Sequence, residues 1–536
     1  MNSDDVYAGR VRATSSNGGR GSRTAPSRVS LRHWILLLAI TVSCVAGAAV
    51  SRSTSDASKQ PARYRFAPST VLEMAQKLST RSYSVERIPD NSPLRQLSYD
   101  QYRMIRVNPN SAVWRNEQVP FRFEVLPAGF HFTLPVRVSV VESAMAREIT
   151  PAASTFQIDP AVAKLIGNTQ VPLSGMRLQT RLNSRSSWDE FVSFQGASYF
   201  QAIPKDASYG LSSRGLAIRT AHPQGEEFPE FTQFWVERPS ANASGIVVHA
   251  LLDSPSTTGA YRFSITPGAE TIMDVDLTLF PRTALDDVGI ATLTSMFLFD
   301  ESERTRIDDF RDEVHESDGL QIVLGSGEHV FRPLRNPTQL QISAFTSQAP
   351  RAFGLVQRSR RLSDFHDLEA DYEDRPSAWI EPTSEWGPGE VQLIEIPTDR
   401  ETNDNIVAMW KPKETIQAGK PWHTSYRIRW TNTPRVMPRL GRVTSTRTGP
   451  TSDGRRRLFI VEFVGAGREV AGLKLDVGSS AGRVSNPMLQ PNRLTKGIRA
   501  SFELSPEDAN LAELRMRILK GDRPMTETWL YRWTAS

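Results

Sequence analysis

The densest potential chemistry in the chain lies between Phe353 and Trp410, in FGLVQRSRRLSDFHDLEADYEDRPSAWIEPTSEWGPGEVQLIEIPTDRETNDNIVAMW. Asp367, Glu369, Asp371 and Asp404 supply hydrogen-bond acceptors and proton donors, while Trp379, Trp386 and Trp410 each offer a flat apolar face. Flat faces beside carboxylates suit a sugar chain. A pyranose stacks its C–H face on an aromatic ring, and its hydroxyls need polar partners because a buried unpaired polar group is costly. Asp404 stands between Asn403 and Asn405 just ahead of an apolar strand, so the amides could orient it at the strand's mouth. A second crowd of proton-transfer groups is DEVHESDGL, with His315, Glu316 and Asp318 before Gly319. Glycosidic cleavage asks for two carboxyl groups, about 5 Å apart in retaining enzymes and about 6.5–9.5 Å apart in inverting ones.

Each of these residues also has a plainer reading. An Asp ahead of a strand commonly caps a turn through its own side chain. A charged run such as DEVHESD is commonly a solvated loop, and tryptophans commonly anchor a core. Tyr199, Tyr209 and Arg214 could equally form a buried packing and hydrogen-bond set beneath a sheet.

Other chemistries find no support. The eight histidines are scattered, with no H-x-x-x-H pair and no HExxH, so no zinc site of ordinary spacing exists. There is no GxSxG elbow, no P-loop and no dinucleotide fingerprint. No metal and no cofactor is expected. The only cysteine, Cys44, rules out a disulfide framework.

Strands must position these groups. VPFRFEVL, FHFTLPVRVSVV, GIVVHALLD, AYRFSITPG and TIMDVDLTLF alternate apolar and polar residues between Pro, Gly and Asn turns. Such runs without intervening helices imply large antiparallel sheets packed face to face. One N-terminal helix is expected over Pro68–Leu78, with Val71, Leu72, Ala75 and Leu78 on one side and Ser69 as its cap. The Pro-rich TNTPRVMPRLG reads as a linker, here 432–440. Beyond it, RRRLFIVEFVG, EVAGLKLDVG, GIRASFEL, AELRMRILKG and TETWLYRW suit an immunoglobulin-like sandwich over 441–536.

The chain has 536 residues and a formal charge of +5. Residues 1–50 hold six arginines and two aspartates, so the remainder is nearly neutral, with 58 basic and 57 acidic side chains. A nucleic-acid partner is therefore not expected. The basic start runs into HWILLLAITVSCVAGAAV, whose Ala46-Gly47-Ala48 suits signal peptidase. Residues 1–48 read as a signal peptide and 49–64 as a linker, with an uncleaved inner-membrane anchor as the alternative. Export to the periplasm follows.

Six longer runs occur in fixed order: GASYF from Gly196, YGLSSRGLAI from Tyr209, GEEFPEFTQFW from Gly225, LLDSPSTTGAYRF from Leu251, LTSMFLF from Leu293 and DNIVAMW from Asp404. Together they resemble the periplasmic glucan biosynthesis proteins of the G/D type. These belong to Gram-negative bacteria that make osmoregulated periplasmic glucans. The resemblance covers about Phe66 to Trp430 and weakens beyond, although TETWLYRW fits the family's ending. No twin arginine precedes the apolar leader, which leans towards the G type.

The resemblance implies a mainly β fold: a large antiparallel, galactose-mutarotase-like β-sandwich over 65–431, then the immunoglobulin-like sandwich. It implies a β-1,2-glucan chain as ligand and an inner-membrane glucan synthase as a further partner. It also implies an inverting endo-β-1,2-glucanase, in which Asp404 is the general acid. The base side is the Asp after His in an H-D-S-[ND]-G motif, and here that position is Glu316. The added methylene moves the carboxylate by over about 1 Å, enough to cost rate. Tyr199, Tyr209, Arg214, Trp379, Trp386 and Asp367 are the expected substrate-binding residues. The alternative is a non-catalytic factor that binds nascent glucan and docks through its C-terminal domain. A sugar mutarotase rests on fold analogy alone.

Overall fold

A computed structural model describes residues 63–304, 307–432 and 440–535. The expected signal peptide and most of both linkers lie outside these residues. Strands make up 48% and helices 8%, which fixes the fold as mainly β. Among the described residues no helix is long and apolar enough to cross a membrane.

Two large sheets carry the structure. The larger has sixteen strands and runs through Glu230–Glu237, Ile246–Asp253, Thr257–Thr266, Glu270–Pro281 and Trp422–Thr431. The second has ten strands, including Phe121–Pro127, Leu173–Thr180, Asp189–Gln195, Tyr199–Ala202, Ser212–Arg214, Val288–Ser295 and Ile406–Pro412. Alternate residues of both sheets meet in one core that contains Phe123, Phe194, Phe263, Leu293, Ala408 and Trp430. The period-2 pattern of the sequence is the cause, since every second side chain points inward.

The expected strand over FHFTLPVRVSVV is only half realised, as Arg137–Glu142. Its first half is a turn, in which Gly129 adopts φ +143° and its N–H donates to the Phe132 carbonyl. Pro135, which has no N–H to give a ladder, follows that turn. The N-terminal helix spans Ser69–Ser79 and buries Val71 and Ala75. Ser69 lies inside it, and Pro68 occupies the cap position without a side-chain bond. Thr70 instead takes the Ala67 N–H at 2.8 Å.

Residues 440–535 form two layers around a second core with Phe459, Phe502, Trp529 and Tyr531. One layer is a four-stranded sheet of Arg442–Pro450, Arg457–Val464, Gly497–Ser505 and Arg483–Asn492. The other, with Leu473–Ser479, Leu511–Lys520 and Thr528–Thr534, continues the sixteen-stranded sheet. The join is a short parallel pairing of Val330 with Thr528 and Phe331 with Trp529. No local pattern in the sequence announces it.

Candidate functional site

The outward-facing residues of the ten-stranded sheet are polar where their neighbours in sequence are core. Arg122 and Glu124 alternate with Phe121, Phe123 and Val125, and Arg177 lies between Met176 and Leu178. Across this face Arg177 donates to Glu124 at 2.7 Å and to Glu190 at 3.0 Å. The Tyr209 hydroxyl donates to the other oxygen of Glu190 at 2.9 Å. Arg122 and Arg181 both lie over the Trp188 ring, at 4.7 and 5.3 Å.

Farther along the same face, Arg214 pairs in register with Tyr199 and places its guanidinium 4.9 Å from that ring. It donates to Glu226 at 2.5 Å, and Thr220 donates to the same oxygen at 3.0 Å. Burial opposes the Arg214 charge, but Tyr199, Glu226 and Asp404 outweigh it and hold the guanidinium above its ordinary value. Asp404 is thus close enough for its charge to act on Arg214.

Asp404 owes its place to Asn405. The hairpin of Gly389–Glu395 and Ile406–Pro412 pairs Glu395 with Ile406 at its closed end. There the buried Asn405 side chain accepts from Phe297 N at 2.8 Å and donates to the carbonyls of Phe297 and Ile396 at 3.0 and 3.1 Å. Three bonds to the main chain leave the preceding residue little freedom. The amide neighbour therefore anchors Asp404 at the mouth of the strand.

Glu316 reaches the same place from another element. Ile406 is paired with Ser295 at the end of Val288–Ser295, and Glu316 N donates to Met296 O, one residue on, at 2.9 Å. The backbone segments that carry both candidate catalytic residues therefore adjoin the end of one central strand. Arg375 donates to Glu316, and its second terminal nitrogen donates to the Ala370 carbonyl at 2.9 Å, which steadies it. Gly210 makes room for that arginine, since a Cβ there would meet Arg375 Cβ at 2.9 Å.

His315 is fully buried against the Phe297 ring, 5.5 Å away and nearly parallel. Its ring nitrogens meet Gln357 Oε1 at 2.9 Å and Glu313 Oε2 at 3.1 Å. Burial disfavours its charge, yet Glu313 prevails and raises the imidazole's pKa. The Asp318 carboxylate accepts the N–H groups of Arg358 and Ser359 and so shapes that turn. Burial raises the Asp318 pKa against the pull of His315 and Arg358.

Three expected binding residues are placed elsewhere or otherwise engaged. Trp379 is 3% exposed and packs against Val323 and Ala352, so it has no face to offer a sugar. Trp386 stacks on the buried Trp410 at 5.8 Å. It precedes Gly389, at the open end of the hairpin, six residues of strand and about 20 Å from the turn that holds Asp404. Apolar area drew Trp379 into the core and seated Trp386 half-buried against it, a difference their composition alone could not show. Asp367 accepts from Glu369 N, Ala370 N and Arg311, each at 2.9 Å. Burial pushes its pKa up, but those donors win and hold it below the usual range. It builds the loop beside the site, and Arg311 ties that loop to Glu401, three residues before Asp404.

Reading the sequence missed Glu226, Arg375, Gln357 and Arg311. Glu226 lies within GEEFPEF and Arg375 within the carboxylate-rich stretch, but their partners are twelve and fifty-nine residues away. Only an acid-rich motif facing a buried arginine could have signalled them.

Comparison with known proteins follows the same boundaries. The family described as "Periplasmic glucan biosynthesis protein, MdoG" matches residues 66–533. "Glucans biosynthesis protein G" of Shewanella sp. strain MR-7 is 46% identical over 473 residues, 88% of this chain and 87% of that one. "Glucans biosynthesis protein G 1" of Shewanella oneidensis gives the same figures. The protein G of Shewanella baltica strain OS155 is 44% identical over 478 residues, 88% of this chain and 87% of its own. Among solved structures, a galactose mutarotase related enzyme from Lactobacillus acidophilus aligns with a TM-score of 0.22 and 8% identity, over 46% of this chain and 98% of that one. A likeness that low carries no weight for fold or function.

Proposed function

The chain belongs to the family of periplasmic glucan biosynthesis proteins, and from that premise we propose that it binds a β-1,2-linked glucan and cleaves it by inverting endo-hydrolysis. The family is described as periplasmic, which supports the periplasm as the compartment of this chain. The observation that supports the reading is that the segments carrying Asp404 and Glu316 adjoin the same end of Val288–Ser295, beside a polar sheet face with Tyr199, Arg214 and Tyr209.

In this reading Asp404 gives its proton to the glycosidic oxygen as the C–O bond breaks. A water attacks the anomeric carbon from the opposite face and passes its proton towards Glu316 through a second water. The new hydroxyl is inverted relative to the broken bond. Arg214 and Tyr199 orient Asp404 and the adjoining sugar. Arg375 holds the longer Glu316 side chain in one rotamer.

The second reading, a glucan-binding factor without hydrolysis that works with a membrane glucosyltransferase, has an observation of its own. Glu316 is already engaged by Arg375, and Asp404 lies within the field of Arg214. Cations favour ionised carboxylates, which suits hydroxyl binding better than proton donation. Full-length protein incubated with linear β-1,2-glucan, beside Asp404→Asn, separates the two. Chain shortening that disappears in the variant while glucan binding persists supports hydrolysis. Binding by both proteins with no new reducing ends replaces it with the second reading.

A further inference from the structure

We infer that Glu527, in the C-terminal part of the chain, is a positioning residue for the Glu316 side of the site. The inference rests on the reading of Glu316 as the base. Glu527 and Arg358 form a two-pronged ion pair at 2.6 and 3.1 Å, with side chains 1% and 5% exposed. Glu527 also accepts Val443 N at 2.6 Å, and Arg358 donates to Val443 O at 2.7 Å. The guanidinium lies 3.6 Å from the centre of the Phe331 ring. That ring in turn occupies the space a side chain at Gly319 would fill. Both terminal nitrogens of the arginine are therefore fixed, and its fork geometry makes the fixing directional.

The pull passes along two short routes. Arg358 N and Ser359 N both donate to Asp318, two residues from Glu316. Asp318 N donates to Val356 O at 2.8 Å, closing the same link from the other side. The neighbouring Gln357, wholly buried, grips His315 by its ring and also donates to its carbonyl at 3.1 Å. His315 and Asp318 thus hold Glu316 between them, and both are held by Gln357–Ser359. The nearby Arg442 adds a cation whose pKa burial and Arg358 depress and Glu527 supports. Without the Glu527 charge, Arg358 and Arg442 repel one another, and the 357–359 turn shifts with them.

Residues 440–535 therefore complete the site rather than merely adjoin it. A chain whose C-terminal sandwich is loosened at this one pair keeps its sugar face, because Tyr199, Tyr209 and Arg214 take no part in the contact. What it loses is the placement of Glu316.

The test uses the full-length chain, Glu527→Gln, the conservative Glu527→Asp and a control at the same junction, Glu328→Gln. Glu328 accepts from Arg515 and Thr528, each at 2.6 Å, at the far end of the Gly319–Val323 strand. Two readouts are needed: hydrogen exchange at the amides of 314–319 and 357–359, and the kcat and KM for linear β-1,2-glucan. Glu527→Gln should speed exchange in both segments and lower kcat about ten- to hundredfold, with KM unchanged within about twofold. Glu527→Asp should recover part of the rate, and Glu328→Gln should change neither readout. Faster exchange confined to 440–535, or an equal kcat loss in Glu328→Gln, overturns the inference. If the wild-type chain does not cut glucan, the hydrolase reading falls, and the exchange result alone decides the coupling. If Glu527→Gln fails to fold, Arg358→Lys, which keeps the charge and loses the fork, takes its place with the same expectations.

Discussion

Asp300 supports a quantitative prediction. It follows the strand Phe297–Phe299, is 9% exposed, and accepts both the N–H (2.8 Å) and the hydroxyl (2.6 Å) of Ser302. Those bonds favour its charge, but burial and then Glu313 and Glu303 dominate and raise its pKa from 3.8 to about 7. The sign follows from proton counting. Between pH 4 and 7 the folded chain holds a proton here that the unfolded chain has lost, so stability falls as pH rises through this window. Roughly three pH units at about 1.4 kcal/mol each give about 4 kcal/mol in all. About 1.5 kcal/mol of that is gone by pH 5, which leaves about 2.5 kcal/mol to be lost between pH 5 and 8. Asp300→Asn keeps an acceptor for Ser302 and cannot ionise. Urea denaturation of both proteins at pH 5, 6, 7 and 8 should show the variant's advantage growing by about 2–3 kcal/mol across the series, while titrations not coupled to Asp300 cancel in the difference. Profiles that run parallel within about 0.5 kcal/mol refute the reasoning, because they mean that Asp300 is ionised in the fold throughout.

Other expectations follow from packing. Trp386→Ala should leave glucan binding and cleavage unchanged within about twofold, since the ring lies about 20 Å of strand from the Asp404 turn. It should instead cost stability, by less than the about 3–5 kcal/mol of a fully buried ring because this one is half-buried, as measured by urea midpoint. Gly319→Ala places a methyl group inside the Phe331 ring. Overpacking of that kind should destabilise by about 1–3 kcal/mol and disturb the Arg358 contact as well, read by denaturation and by cleavage together. Asp404→Asn should abolish chain shortening and spare glucan affinity, which a reducing-end assay beside a binding isotherm would establish.

The position of Arg358 ties the C-terminal sandwich to the 357–359 turn of the larger unit. Had the two cores met only through exposed side chains, each ion pair would contribute little. Here the pair is buried, so removing one partner leaves an uncompensated charge, which is strongly unfavourable. Arg335 adds to the joint: it donates to Arg532 O and lies 5.1 Å from the Tyr531 ring.

Much of the fold was legible in local pattern. GIVVHALLD became Ile246–Asp253, buried on both faces because the Ser69–Ser79 helix covers one of them, and TIMDVDLTLF became Glu270–Pro281 with alternate residues buried, because period-2 burial is a property of neighbours in sequence. The helix at Ser69–Ser79 was legible for the same reason, whereas its cap was not, since several hydroxyls compete for one N–H. Asp404 ahead of its strand could also be read from the chain, because it depends on a turn of a few residues, whereas the Asn405 anchor closes on Phe297, 108 residues away. What only tertiary structure decided is which side chains share a place. Trp379 and Trp386 share the composition of sugar platforms, yet the sheets buried one and carried the other to the far end of a hairpin. Glu316 meets Arg375 across fifty-nine residues, and Arg358 meets Glu527 across 169. Sequence sets the local period of a strand. Register, sheet order and the long-range pairing of charges arise only when distant strands compete for the same neighbours.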